Sequence, residues 1–62
     1  MILRQFKFNE IPVMGLSIFV GSKEVATGFI GEVLEQIPHL ADYVIKETNF
    51  YFDVFVIRLI EQ

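Results

Sequence analysis

Hydrophobic positions alternate with polar ones, or run unbroken, over most of this chain, and they divide it into extended segments. Phe50 to Ile60 carries the strongest strand pattern: Phe50, Phe52, Val54, Val56, Arg58 and Ile60 on one face, Tyr51, Asp53, Phe55, Ile57 and Leu59 on the other. Both faces are mostly apolar, which calls for cover on both sides by a barrel wall, a helix layer or a second subunit. Left open, such a strand is an aggregation hazard. Met1 to Phe8 reads as a strand with Ile2, Arg4, Phe6 and Phe8 opposite Leu3, Gln5 and Lys7. Asn9-Glu10-Ile11-Pro12 is a turn signal, because Pro12 holds Ile11 extended. Val13 to Val20 is a second extended segment, closed by Gly21-Ser22-Lys23-Glu24. Tyr43 to Thr48 alternates again, and Thr48-Asn49 fits a hairpin turn before residue 50.

Residues 23–37 support two assignments. At helical spacing, Val25, Ala26, Phe29, Ile30, Val33, Leu34 and Ile37 form one stripe, with Ser22 as N-cap and Pro38 just past the end. Against that, Gly28 and Gly31 each cost about 1 kcal/mol inside a helix. Val25, Thr27, Ile30 and Val33 are β-branched and lose rotamer freedom there. The balance tips toward a bent strand with glycines at its entry. Pro38 to Asp42 is a loop or short helical turn.

The stretch Phe8-Asn9-Glu10-Ile11-Pro12-Val13-Met14-Gly15, leading to Ile18-Phe19, resembles the Phe-x-x-Ile/Leu-Pro-x-Gly-x-x-Phe opening of short phage- and mobile-element-encoded proteins. Those proteins form SH3-like barrels. The later run Gly28-Phe29-Ile30-Gly31-Glu32-Val33 is similar to the glycine-flanked strand entry of such barrels. Met14 departs from the pattern by lengthening the Pro-to-Gly interval by one residue. The resemblance implies a cytoplasmic accessory protein that binds a host factor, with no residue roles to carry over. The fold expected is therefore mainly β: one domain over residues 1–62, a small SH3-like barrel of about five strands. The alternative is α+β, in the order β-β-α-β-β, with a helix over 23–37.

Composition sharpens the functional side. A 62-residue chain is at most one domain and hides only about 60% of its unfolded surface. It has no cysteine and one histidine, so neither disulfides nor a Cys/His zinc site reinforce it. Its hydrophobic fraction is nonetheless 53%, which leaves apolar side chains exposed or in contact with a partner. Self-association or binding of another protein is expected. A membrane span needs roughly 20 consecutive apolar residues, and no run here reaches that. Residues 11–22 form the longest uncharged stretch, but Phe6, Phe8 and Glu10 disrupt the polar leader of a signal peptide. Absence of cysteine is compatible with a reducing cytoplasm.

Catalytic constellations are sparse. His39 beside Asp42 is a conceivable proton-transfer pair, yet an exposed loop histidine is the simpler assignment. Glu32, Glu35 and Asp42 lack calcium-loop spacing and read as solvated charge. Gly28-x-x-Gly31 has no following Lys-Ser/Thr and is not a phosphate loop. No cofactor or small-molecule substrate is indicated, and the chain is read as non-enzymatic. The net charge of −3 disfavours nucleic acid. The alternative function is nonetheless a single-stranded nucleic-acid binder, with Phe50, Tyr51 and Phe52 stacking bases and Arg4, Lys7, Lys46 and Arg58 contacting phosphates. A third is a small subunit or fragment of a larger assembly. The leading expectation is a homodimeric interaction module whose contacts include Tyr43, Phe50, Tyr51, Phe52 and Arg58. The free edge of strand 50–60 would be available for pairing with another strand.

Overall fold

The computed structural model describes residues 1–12 and 14–61. Four strands and one short helix follow in the order β1 (Gly15–Val20), β2 (Lys23–Phe29), α1 (Ile30–Gln36), β3 (Ile45–Tyr51) and β4 (Val54–Leu59). Single 3-10 turns lie at Leu3–Gln5, Phe8–Glu10 and Pro38–Leu40. The strands form one sheet in the order β2-β1-β4-β3. Two antiparallel hairpins, β1–β2 and β3–β4, meet along a parallel seam between β1 and β4.

The protein is mainly β, as expected, but the sheet is open rather than a closed five-strand barrel, with β2 and β3 at its two edges. Parallel neighbours need a crossover, and here α1 and the residues after it supply one. The contested segment divides: residues 23–29 are strand and 30–36 are helix. The expected bent strand from the glycines to Ile37 is corrected: Ile30, Gly31 and Val33 are helical because Val33 and Ile37 must reach the core at helical spacing, and Ser22 lies in a hairpin loop instead of capping a helix. Val25 and Thr27 lie in the strand. The helix keeps Ile30, Val33 and the adjoining Ile37 inward, and Pro38 follows as the stop.

Two further expectations are corrected. Residues 1–8 do not form a strand. Leu3 is buried, and the chain coils so that Phe6 N–H donates to Leu3 O and Ile2 N–H donates to Gln5 Oε1. Only Ile2 bridges to Val44 in β fashion. The apolar residues Leu3, Phe6 and Phe8 reach the core better from tight turns than from one face of a strand. The second hairpin turns at Phe52-Asp53, not at Thr48-Asn49, which lie inside β3. This register sets Phe50 opposite Phe55 and Ile45 opposite Leu59, so apolar meets apolar on the covered face. Val13, the expected start of the second strand, lies outside the described residues.

The first hairpin turns at Gly21-Ser22 as its sequence requires. Gly21 has φ +62°, the first-position glycine of a two-residue hairpin loop. The core lies between the sheet and the chain that crosses it. Leu16, Ile18, Phe55, Ile57 and Leu59 point inward from the two central strands, with Ala26 from β2. Val33 and Ile37 cover β1 and β2, while Leu3, Phe6 and Leu40 complete the layer. Phe6 stacks on Phe55 at 5.6 Å, and Phe50 meets the same ring edge-on at 4.8 Å. Burying each Leu, Ile or Phe contributes about 1.5–3 kcal/mol.

Candidate interaction surface

The crossover and the N-terminal turns lie on the same side of the sheet, so the opposite face is uncovered. Strand register arranges that face as three rows across four strands. The row nearest the Phe52-Asp53 turn holds Phe29, Gly15, Val54 and Tyr51. The middle row holds Thr27, Ser17, Val56 and Asn49. The far row holds Glu24, Phe19, Arg58 and Glu47. The near row is therefore uncharged, while the far row gathers the charged side chains around Phe19.

Ser17 pairs with Thr27 on this face, and Arg58 with Glu47. Ser17 Oγ and Thr27 Oγ1 are 2.8 Å apart and hydrogen-bonded. Ser17 is only 7% exposed although no backbone layer covers it, being a small side chain sunk among Thr27, Phe19 and Val56. Arg58 donates from Nη1 to Gly21 O at 2.6 Å and from Nε to Glu47 Oε1 at 3.2 Å. Its guanidinium lies 4.9 Å from the Phe19 ring centroid, a cation–π contact. The charge is thus spent within the protein, and Arg58 ties the β1–β2 turn to the sheet. A shallow depression of about 430 Å³ runs over Phe19, Tyr51, Phe52, Val54 and Val56.

Phe52 stands at the rim of this depression. It is 95% exposed and has φ +58°, in the left-handed region that a bulky L-residue seldom adopts. Its ring meets Tyr51 edge-on at 6.0 Å. The turn therefore spends backbone strain to hold an unburied aromatic in water, an arrangement that stability alone does not favour.

The five expected contact residues do not form one site. Tyr51, Phe52 and Arg58 border the open face. Phe50 points to the other side, where with Phe6, Ile11 and Phe55 it lines a groove of about 380 Å³. Tyr43 packs against the core near Leu3, whose N–H donates to Tyr43 O. Strand 50–60 has no free edge for pairing, because β4 is bonded to β1 and β3. Nor is it covered on both faces. Phe19, Phe29, Val54 and Val56 were absent from the expected set. Their signal was the alternation itself, since Phe19 falls out of phase with Leu16 and Ile18, and Val54 and Val56 with Phe55, Ile57 and Leu59.

The other candidates stand apart. His39 is exposed in its 3-10 turn, and Asp42 pairs with Arg4. Glu32 and Glu35 project from exposed positions of α1. Among the described residues no three His, Asp or Glu side chains gather as metal ligands, and no helix is long and apolar enough to cross a membrane. Comparison with protein-family models, curated proteins and solved structures finds no match to this chain.

Proposed function

We propose that this protein is a non-enzymatic interaction module that works by self-association through its sheet. The observation that carries this reading is the uncovered face, with its half-buried Phe19, Val54 and Val56 and exposed Phe29, Tyr51 and Phe52. Contiguous apolar surface rimmed by polar residues is the usual mark of a protein contact. Sedimentation across the micromolar range tests it: a mass of twice 7.2 kDa is expected. A monomer at every concentration overturns the self-association. An accessory role with a heterologous partner, as the phage-type resemblance implies, would draw on the same surface and becomes the leading reading in that event.

A second reading has its own observation. An open four-stranded sheet presenting Phe19, Phe29 and Tyr51 beside Arg58 has the form of a base-stacking platform. Glu24, Glu47 and Asp53 border that platform, and Arg58 is already engaged by Glu47. Both features oppose a phosphate backbone. Titration of a labelled single-stranded oligonucleotide, with binding that falls steeply with salt, would establish this reading; no binding at low salt removes it.

A further inference from the structure

Resting on the self-association reading, we infer that the occupant of the uncovered face is a second copy of this chain, stacked face to face, with the two-fold axis running across the strands along the Thr27–Ser17–Val56–Asn49 row. Three observations lead there.

The first is size. Four strands about 4.8 Å apart, each offering three outward residues over about 20 Å, give a footprint of about 400 Å² per copy. Side-chain relief and the two Phe52 tips bring the total surface removed from water to about 1,000 Å², the lower bound for a specific interface.

The second is cost. Burying the face strands few polar groups, because Ser17 with Thr27, and Arg58 with Glu47 and Gly21, are already paired within one copy. Glu24, Asn49 and Glu47 stand exposed on the two edge strands, where they can keep contact with water. The desolvation penalty is thereby confined to the edges of the face.

The third is complementarity, and it selects the axis. An axis parallel to the strands would superpose the charged rows and place Glu24 of each copy over Glu47 of the other. Two like-charge contacts would result, each of them unfavourable. An axis across the strands reverses the rows instead. Glu47 then lies over Tyr51, whose hydroxyl donates to a carboxylate, and Arg58 lies over Val54. Phe19, the largest side chain of the far row, lies over Gly15, the smallest position of the near row. A Cβ at Gly15 would come 3.2 Å from Val54 Cγ2, so a larger residue there would have to push that methyl aside. The vacancy above it remains for the partner's ring. In this arrangement every residue of the middle row faces its own counterpart.

Single-cysteine variants test the geometry, since the chain has no other thiol. Asn49→Cys and Thr27→Cys both lie at exposed edge positions. Each is expected to cross-link to itself with a short bis-maleimide, and the mixture is expected to give no preferred cross-product. Cross-linking only in the mixture would overturn the axis. Val56→Lys places a charge at the centre and is expected to weaken dimerisation by more than about tenfold, with a folded monomer by circular dichroism. A Val56→Lys protein that still dimerises like the wild type overturns the face while leaving self-association intact. If Val56→Lys unfolds, the cross-linking decides. A wild-type monomer overturns both.

Discussion

Phe52 shows how one side chain can be costly where it stands. A left-handed backbone costs an ordinary L-residue about 1–2 kcal/mol, and asparagine far less. Phe52 recovers little of that by packing, being 95% exposed. Phe52→Asn is therefore expected to stabilise the isolated monomer by about 1 kcal/mol, a rise of roughly 4–8 °C in Tm for a domain this small. Thermal melts at concentrations below dimerisation check it. An unchanged or lower Tm would mean that the ring contributes contacts that its exposure does not reveal. In the dimer the same substitution should weaken association, since the aromatic at the rim is lost. A residue that costs stability and aids association has the signature of a contact residue. Arg58 is the converse case, with its charge, stem and stacking all engaged inside one copy.

The helix is the element most open to improvement. Gly31 sits in α1 with nothing within 4 Å of where a Cβ would be placed. Gly31→Ala is expected to add about 0.5 kcal/mol, below the full helix-interior value because Gly31 lies in the first turn, since glycine loses more backbone freedom than alanine on entering a helix. A denaturant midpoint that fails to rise would place this segment outside a helix in solution. The same segment shows what was legible in the sequence. The end of α1 at Pro38 and the turn at Gly21-Ser22 were readable because proline and glycine act locally. That Phe55, Ile57 and Leu59 share one face was readable because a period of two survives in any sheet. The turn at Phe52-Asp53 was not: neither residue announces a turn, whereas Thr48-Asn49 does. Its position comes from pairing Phe50 with Phe55 across the hairpin and Leu16 with Phe55 across the seam, both tertiary demands. The coil of residues 1–11 was hidden for the same reason. Of the five expected contact residues, Tyr51, Phe52 and Arg58 border the open face, while strand parity alone could not say which face the crossover would cover.

At the scale of the whole molecule, the apolar excess is reconciled with a single covered face. The accessible surface is 4297 Å². A compact monomer of this mass is expected to show about 4,100 Å². The protein is thus compact by area, and its excess lies in what that area is made of. A domain this small has a marginal core, so binding a second copy adds directly to its apparent stability by mass action. Tm is expected to climb as protein concentration passes through the dissociation constant, and Val56→Lys should flatten that climb. A wild-type Tm independent of concentration over two decades would count against a folded-state dimer.

The central seam has a bearing on how the chain folds. Each hairpin joins neighbours in sequence, but β1 meets β4 by setting residue 15 beside residue 54. Hairpins close in microseconds, whereas distant pairing must first offset the entropy of closing the long loop between its partners. Neither hairpin can bury its inward row alone, because Leu16 and Ile18 on one side need Phe55 and Ile57 on the other. Stable structure therefore waits on the long closure that brings β1 to β4, since before it neither hairpin has a covered face.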